Sequence, residues 1–397
     1  MKKKLHPRFG FETLAVHSGS PPDPSTGARS FPIFQTTAYV FDDADHAASM
    51  FNLQAPGFIY SRLTNPTVAA LEEKLATLEG GRVLFPLMAP GMEVIVSNKL
   101  YGGTINLMGK SFRKFGWNAV FVDNDNPEAF RAAVTEKTRA IFVESLANPG
   151  GVIVDLEAIA KIAQEAEVPL IVDNTMATPW LCRPFEWGAD LVVHSTTKFL
   201  SGQGNAMGGI VIDSGRFPWF GNAKYPSLSE PCPDYNGLTF AETFGDMAFT
   251  LYSHAVSLRD LGCTQSPMNA WITLNGVETL PLRMERHVEN AQKVAGFLQQ
   301  HPSVEWVSYA GLSSSPYYQL AQKYLQGKAG SVFTFGIRGG YESGLRLLEK
   351  VELFSHVSNI GDSRSLILHP ASTTHGQLRD EQRLTAGAGP EVIRLSV

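Results

Sequence analysis

Between Met92 and His194, short apolar runs alternate with segments of helical period, and this alternation constrains the fold more than any other feature of the 397-residue chain. EVIVSN from Glu93, AVFVD from Ala119, AIFVE from Ala140, PLIVD from Pro169 and LVVH from Leu191 read as strands; PEAFRAAV from Pro127 and DLEAIAKIAQEA from Asp155 read as helices. Strands that alternate with helices predict an α/β fold, a mostly parallel sheet with helices on both faces. Ile210 to Ile212 predicts an antiparallel return strand. In open sheets of this kind ligands bind beyond the carboxyl ends of the strands, so the residues after each run are the first place to look for chemistry.

The flanking segments differ in character. Residues 1–60 are rich in Pro, Ser, Gly and aromatic side chains with little periodicity, and they read as an arm that packs on a neighbouring subunit. Asn65-Pro66-Thr67 opens an amphipathic helix that Gly80 and Gly81 close. From Gly276 to Gln300 the pattern predicts one long helix, followed by short strands near Ser331, near Ser365 and at Val392 to Val397. Three regions result: the arm at 1–60, an α/β domain at 61–264, and a smaller C-terminal α+β domain at 265–397. A net charge of −5 gives no reason to expect nucleic acid, and the apolar runs are too short to span a membrane. The basic start lacks the apolar stretch of a secretory signal, which predicts the cytoplasm. Three cysteines without ligand spacing predict reduced thiols and no metal site.

Lys198 stands four residues beyond the LVVH run, in HSTTKFLSGQG. A lysine at the carboxyl end of a parallel sheet, desolvated and near other cations, can form a Schiff base with a carbonyl, as lysines that hold pyridoxal phosphate do. Asp173 ends the PLIVD run, where a carboxylate can hold a pyridinium nitrogen protonated. Ser195 and Thr197 supply hydroxyl donors for a phosphate beside the lysine.

These residues and several separated motifs resemble the fold-type I, pyridoxal phosphate-dependent enzymes of cysteine and methionine metabolism. HSTTKFLSGQG resembles the family's lysine motif, VDNTMATP its aspartate motif, YSRLTNPT its inter-subunit phosphate motif and LYGGT its ring-stacking motif; QSPMNAWITLNGVETLPLRMERH and HPASTTH resemble its C-terminal signatures. The resemblance implies that Lys198 carries the cofactor and moves protons, that Asp173 pairs with the ring nitrogen, and that Ser195 and Thr197 bind the phosphate. It further implies that Tyr60 and Arg62 reach the phosphate of a neighbouring subunit, in a dimer or a tetramer of two dimers. Tyr101 would stack on the ring and exchange protons near the leaving group, and Asn148 would bond the cofactor edge. Arg394 would clamp the substrate carboxylate, with Asn359 and Thr374 as pocket neighbours, while His369 and His375 would pack in their loop.

The reaction so implied is replacement at the γ-carbon of an acylated homoserine by sulfide or a small thiol, in the longer sulfhydrylase branch that FAETFGDMAFTLYSHAVSLRDLGCTQSPMNAW resembles. The γ-lyases and the cystathionine synthases and lyases share the same residues and stay open as alternatives, as does a non-catalytic relative. One departure bears on the last. Where the family carries a strand and a small-residue loop that gives backbone N–H groups to the phosphate, this chain has only RVLFPLMA between Gly81 and Pro90.

Overall fold

The computed structural model describes residues 9–19, 21–79, 87–374, 376, 379–385 and 387–397. The chain divides into two compact units, one of Met1–Leu87, Asp190–Thr196 and Asn205–Thr279, the other of Met88–Ala189, Thr197–Gly204 and Leu280–Val397.

The second unit carries the alternating pattern. Strands β1 (Glu93–Ser97), β2 (Asn118–Val122) and β3 (Thr138–Glu144) come first, followed by a small antiparallel pair, β4 (Leu146–Ala147) and β5 (Val152–Ile153), and by β6 (Leu170–Asp173). Within this unit β2, β1, β3 and β6 lie side by side in that order, and all their pairings are parallel. The helix Leu156–Glu165 supplies the crossover between β3 and β6. Asp155 caps it by accepting from the Ala158 amide, and it buries Leu156, Ile159, Ile162 and Ala163 along one stripe. Asn126 and Pro127 likewise start Pro127–Ala132.

In the first unit β7 (Leu191–His194) pairs antiparallel with β8 (Ile210–Asp213), the return strand expected there. The helices Phe11–His17, Pro66–Glu79 and Pro267–Glu278 pack together around Lys74, whose fully buried ammonium donates to Ala15 O at 3.0 Å, Val16 O at 3.3 Å and Glu278 Oε1 at 3.2 Å. The first sixty residues, expected to be irregular throughout, contain Phe11–His17 and Ala44–Phe51 as helices.

The remaining strands of the second unit are β9 (Val304–Ser308), β10 (Val332–Ile337), β11 (Ser355–His356), β12 (Leu366–Leu368) and β13 (Val392–Ser396). They form a sheet in the order β11-β12-β13-β10-β9, with β13 antiparallel to both of its neighbours. The single helix expected from Gly276 is in fact two, Pro267–Glu278 and Leu280–Gln299. Pro281 accounts for the break: it has no N–H to give to the carbonyl of residue 277, and its ring would collide there in a continuous helix. Among the described residues no helix is long and apolar enough to cross a membrane.

Candidate active site

The carboxyl ends of β3 and β6 bring two acids together. Glu144 and Asp173 are register partners on adjacent parallel strands, each the last residue of its strand. Asp173 Oδ1 accepts from the Thr175 amide at 2.9 Å, which fixes the carboxylate at the head of the following turn. Glu144 is 4% exposed, and its oxygens accept from two backbone amides, Tyr101 N at 2.6 Å and Asn148 N at 3.0 Å. Burial, and then the charge of Asp173, push the Glu144 carboxyl well above the usual carboxylate range, against the opposing pull of the two amides.

Arg394 occupies the centre of β13, between Thr334 on β10 and Leu368 on β12. A guanidinium in a buried central strand needs partners, and it donates to Asn148 Oδ1 at 3.3 Å and to Asn359 O at 3.1 Å. Burial lowers its pKa to about 10. Asn359 also accepts through its side chain, from Lys198 Nζ at 2.6 Å. Tyr101, Glu144, Asn148, Arg394, Asn359 and Lys198 thus form one connected series of hydrogen bonds drawn from five separate segments of the second unit.

Lys198 is only partly exposed. Burial, and then the positive charge of Arg394, hold its amine below the ordinary lysine value. The segment around it is fixed from two sides. Arg283, on Leu280–Gln299, donates to Phe199 O at 2.7 Å and Leu200 O at 3.4 Å. Gly361 packs on the same backbone: its φ is +73°, and a Cβ there would lie 2.6 Å from Phe199 N, so only glycine fits.

The other expected residues fall as follows. Tyr101 precedes Gly102–Asn106 and is 53% exposed. Ser195 is half-buried just beyond β7 in the first unit, and Thr197 half-buried at the start of the Lys198 segment. Tyr60 and Arg62 lie in the first unit, the guanidinium 5.2 Å from the centre of the exposed Tyr60 ring. Thr374 is exposed in the turn after Pro370–Ser372. His369 is fully buried, with Nδ1 bonded to Ser372 Oγ at 3.0 Å and Nε2 to Pro390 O at 2.8 Å, a packing role as expected. His375 and residues 80–86, which include most of the shortened phosphate-loop segment, lie outside the described residues.

Two members of the site had no role in the sequence reading. Glu144 was legible as a strand end, and a carboxylate there beside the Asp173 strand was the available signal. Arg283 gave none, because what it holds lies 84 residues away.

The donor set fits pyridoxal 5'-phosphate: an amine biased toward its neutral, nucleophilic form, a carboxylate at the same sheet edge for the ring nitrogen, and a buried guanidinium for a carboxylate. Such an arrangement on a parallel α/β sheet defines a lysine-dependent pyridoxal phosphate enzyme. The profile of the Cys/Met metabolism PLP-dependent enzyme family matches residues 12–397, and the chain belongs to that family.

Among its relatives, the O-acetyl-L-homoserine sulfhydrylase of Leptospira meyeri is 49% identical, the alignment covering 98% of this chain and 93% of that protein. O-acetyl-L-homoserine sulfhydrylase 1 of Thermus thermophilus is 46% identical over 98% of this chain and 96% of its own length. The putative O-acetylhomoserine (thiol)-lyase of Campylobacter jejuni superposes with a TM-score of 0.95 at 41% identity, over 98% of this chain and 96% of that one, and its crystal structure holds N'-pyridoxyl-lysine-5'-monophosphate. The metB protein of Corynebacterium glutamicum superposes with a TM-score of 0.82 at 28% identity, over 99% and 95% of the two chains. The alignment to the Leptospira protein spans 412 positions against the 397 residues here, so that relative carries residues within the aligned range that this chain lacks.

Proposed function

We propose that the protein catalyses a γ-replacement in methionine biosynthesis, exchanging the acetate of O-acetyl-L-homoserine for sulfide, or for methanethiol, to give L-homocysteine or methionine. The observation that carries this reading is identity of 49% and 46%, over nearly the whole chain, to two named sulfhydrylases.

Pyridoxal phosphate supplies the electron sink for charge that develops on the substrate carbons. The protein supplies everything else. Lys198 would hold the cofactor through its amine and would take and return protons at the α- and β-carbons, while the γ-carbon exchanges acetate for sulfur; its lowered pKa suits both tasks. Asp173 pairs with the ring nitrogen and keeps it protonated. Tyr101, 53% exposed, would cover the ring face, and its hydroxyl would exchange a proton near the departing acetate. Asn148 bonds the cofactor edge, and Ser195 and Thr197 donate to the phosphate.

Arg394, held by Asn148 and Asn359, takes the substrate carboxylate in a two-pronged grip, with Thr374 as a pocket neighbour. Tyr60 and Arg62, exposed on the arm, suit the phosphate of a second copy of the chain, so the working form is a dimer or a pair of dimers. Assays that follow homocysteine from O-acetylhomoserine and sulfide, beside oxobutyrate from methionine, decide the reaction. Homocysteine formation is expected to dominate; oxobutyrate release without turnover of the acetyl substrate would overturn the proposal in favour of a γ-lyase.

A further inference from the structure

Glu144 is buried, carries no substrate-facing role in the scheme above, and sits beside a second carboxylate, an expensive arrangement in a sheet end that an apolar residue could fill. What distinguishes it is where its two oxygens go. Oε1 takes the amide of Tyr101, in the connection that follows β1, and Oε2 takes the amide of Asn148, in the turn between β4 and β5. The side chain of Asn148 in turn accepts from Arg394.

We propose that Glu144 is a positioning residue: one carboxylate locks Tyr101 and Asn148 into a single arrangement and, through Asn148, aims the guanidinium of Arg394. The inference rests on the roles given above to Tyr101, Asn148 and Arg394. A glutamine has the same shape but accepts through one atom only, and its amide nitrogen would face a backbone N–H, so Glu144→Gln must release one of the two loops. Glu144→Asp keeps both acceptors on a shorter stem and strains the pair without abolishing it.

The test uses the cofactor-loaded protein and reads the visible circular dichroism of the bound cofactor, the affinity for homoserine and the unfolding temperature. Homoserine probes the carboxylate grip without an acyl leaving group, so the readouts stay legible even if the proposed reaction is wrong. Loss of one of the two hydrogen bonds, which leaves a backbone amide unsatisfied, predicts homoserine binding weaker by about tenfold in Glu144→Gln, with altered dichroism. Glu144→Asp is expected to fall between that variant and the wild type, and it carries the test alone if Glu144→Gln does not fold. Wild-type dichroism and affinity in both variants would overturn the proposal. So would losses that merely track a lowered unfolding temperature, since a structural role alone predicts that.

Discussion

Lys198 Nζ donates to Asn359 Oδ1 at 2.6 Å, while the main-chain carbonyl of the same asparagine accepts from Arg394 at 3.1 Å. One residue therefore holds the amine with its side chain and the guanidinium with its backbone. The two functions can be separated by mutation, because Asn359→Ala removes only the first contact. We expect kcat to fall about tenfold with KM for O-acetylhomoserine within about twofold of wild type. Steady-state kinetics check this; a KM effect of the same size as the kcat effect would mean that the backbone contact had been lost as well.

The proximity of Arg394 to Lys198 makes a pH prediction. Lys198 is held below the ordinary lysine value by burial and by the Arg394 charge, so the neutral amine is available at lower pH than an exposed lysine would allow. Removing that charge in Arg394→Gln raises the Lys198 pKa toward its ordinary value. The rate at which apoprotein recaptures pyridoxal phosphate should then reach its half-maximum at a higher pH in the variant than in the wild type. Rapid-mixing absorbance measurements across pH distinguish the two; coincident profiles would remove Arg394 from the titration.

Much of this site was legible in the residue pattern. The apolar runs ending in Glu144 and Asp173 mark the sheet edge, and the resemblance carried by HSTTKFLSGQG and VDNTMATP named Lys198 and Asp173. What the pattern could not give was long-range partnership. Glu144 acts on backbone amides, which every residue has, so nothing in the identities of Tyr101 or Asn148 announces the contact. The joint at Thr279 was hidden for a different reason: helical periodicity runs through VETLPLRM without interruption, and only the position of Pro281 breaks it.

Away from the site, Asp213 predicts a pH dependence of stability. It is 3% exposed, Oδ1 accepts from the Gly215 amide at 2.8 Å, and Oδ2 has no partner among the described residues. Burial, with the charges of Asp190 and Asp246, raises its pKa from 3.8 to about 7. The folded state therefore binds a proton that the unfolded chain releases. The associated stability is full below pH 3.8 and is lost as pH rises to about 7. The loss amounts to about 4 kcal/mol across that window. Asp213→Asn should remove this component, leaving the variant less sensitive than the wild type between pH 5 and 8 in denaturant unfolding. Parallel curves for the two proteins would contradict the assignment.

In the proposed scheme Ser195 and Thr197 donate to the phosphate, and capture of the cofactor by Lys198 is the point on which everything else depends. That capture can be read directly. The protein loaded with pyridoxal 5'-phosphate is treated with borohydride, which makes the lysine linkage permanent, and the labelled peptide is identified by mass spectrometry. The predicted result is one pyridoxyl group per chain, on Lys198, absent in Lys198→Ala. A label on another lysine, or no label on protein that is folded and saturated with cofactor, would contradict it.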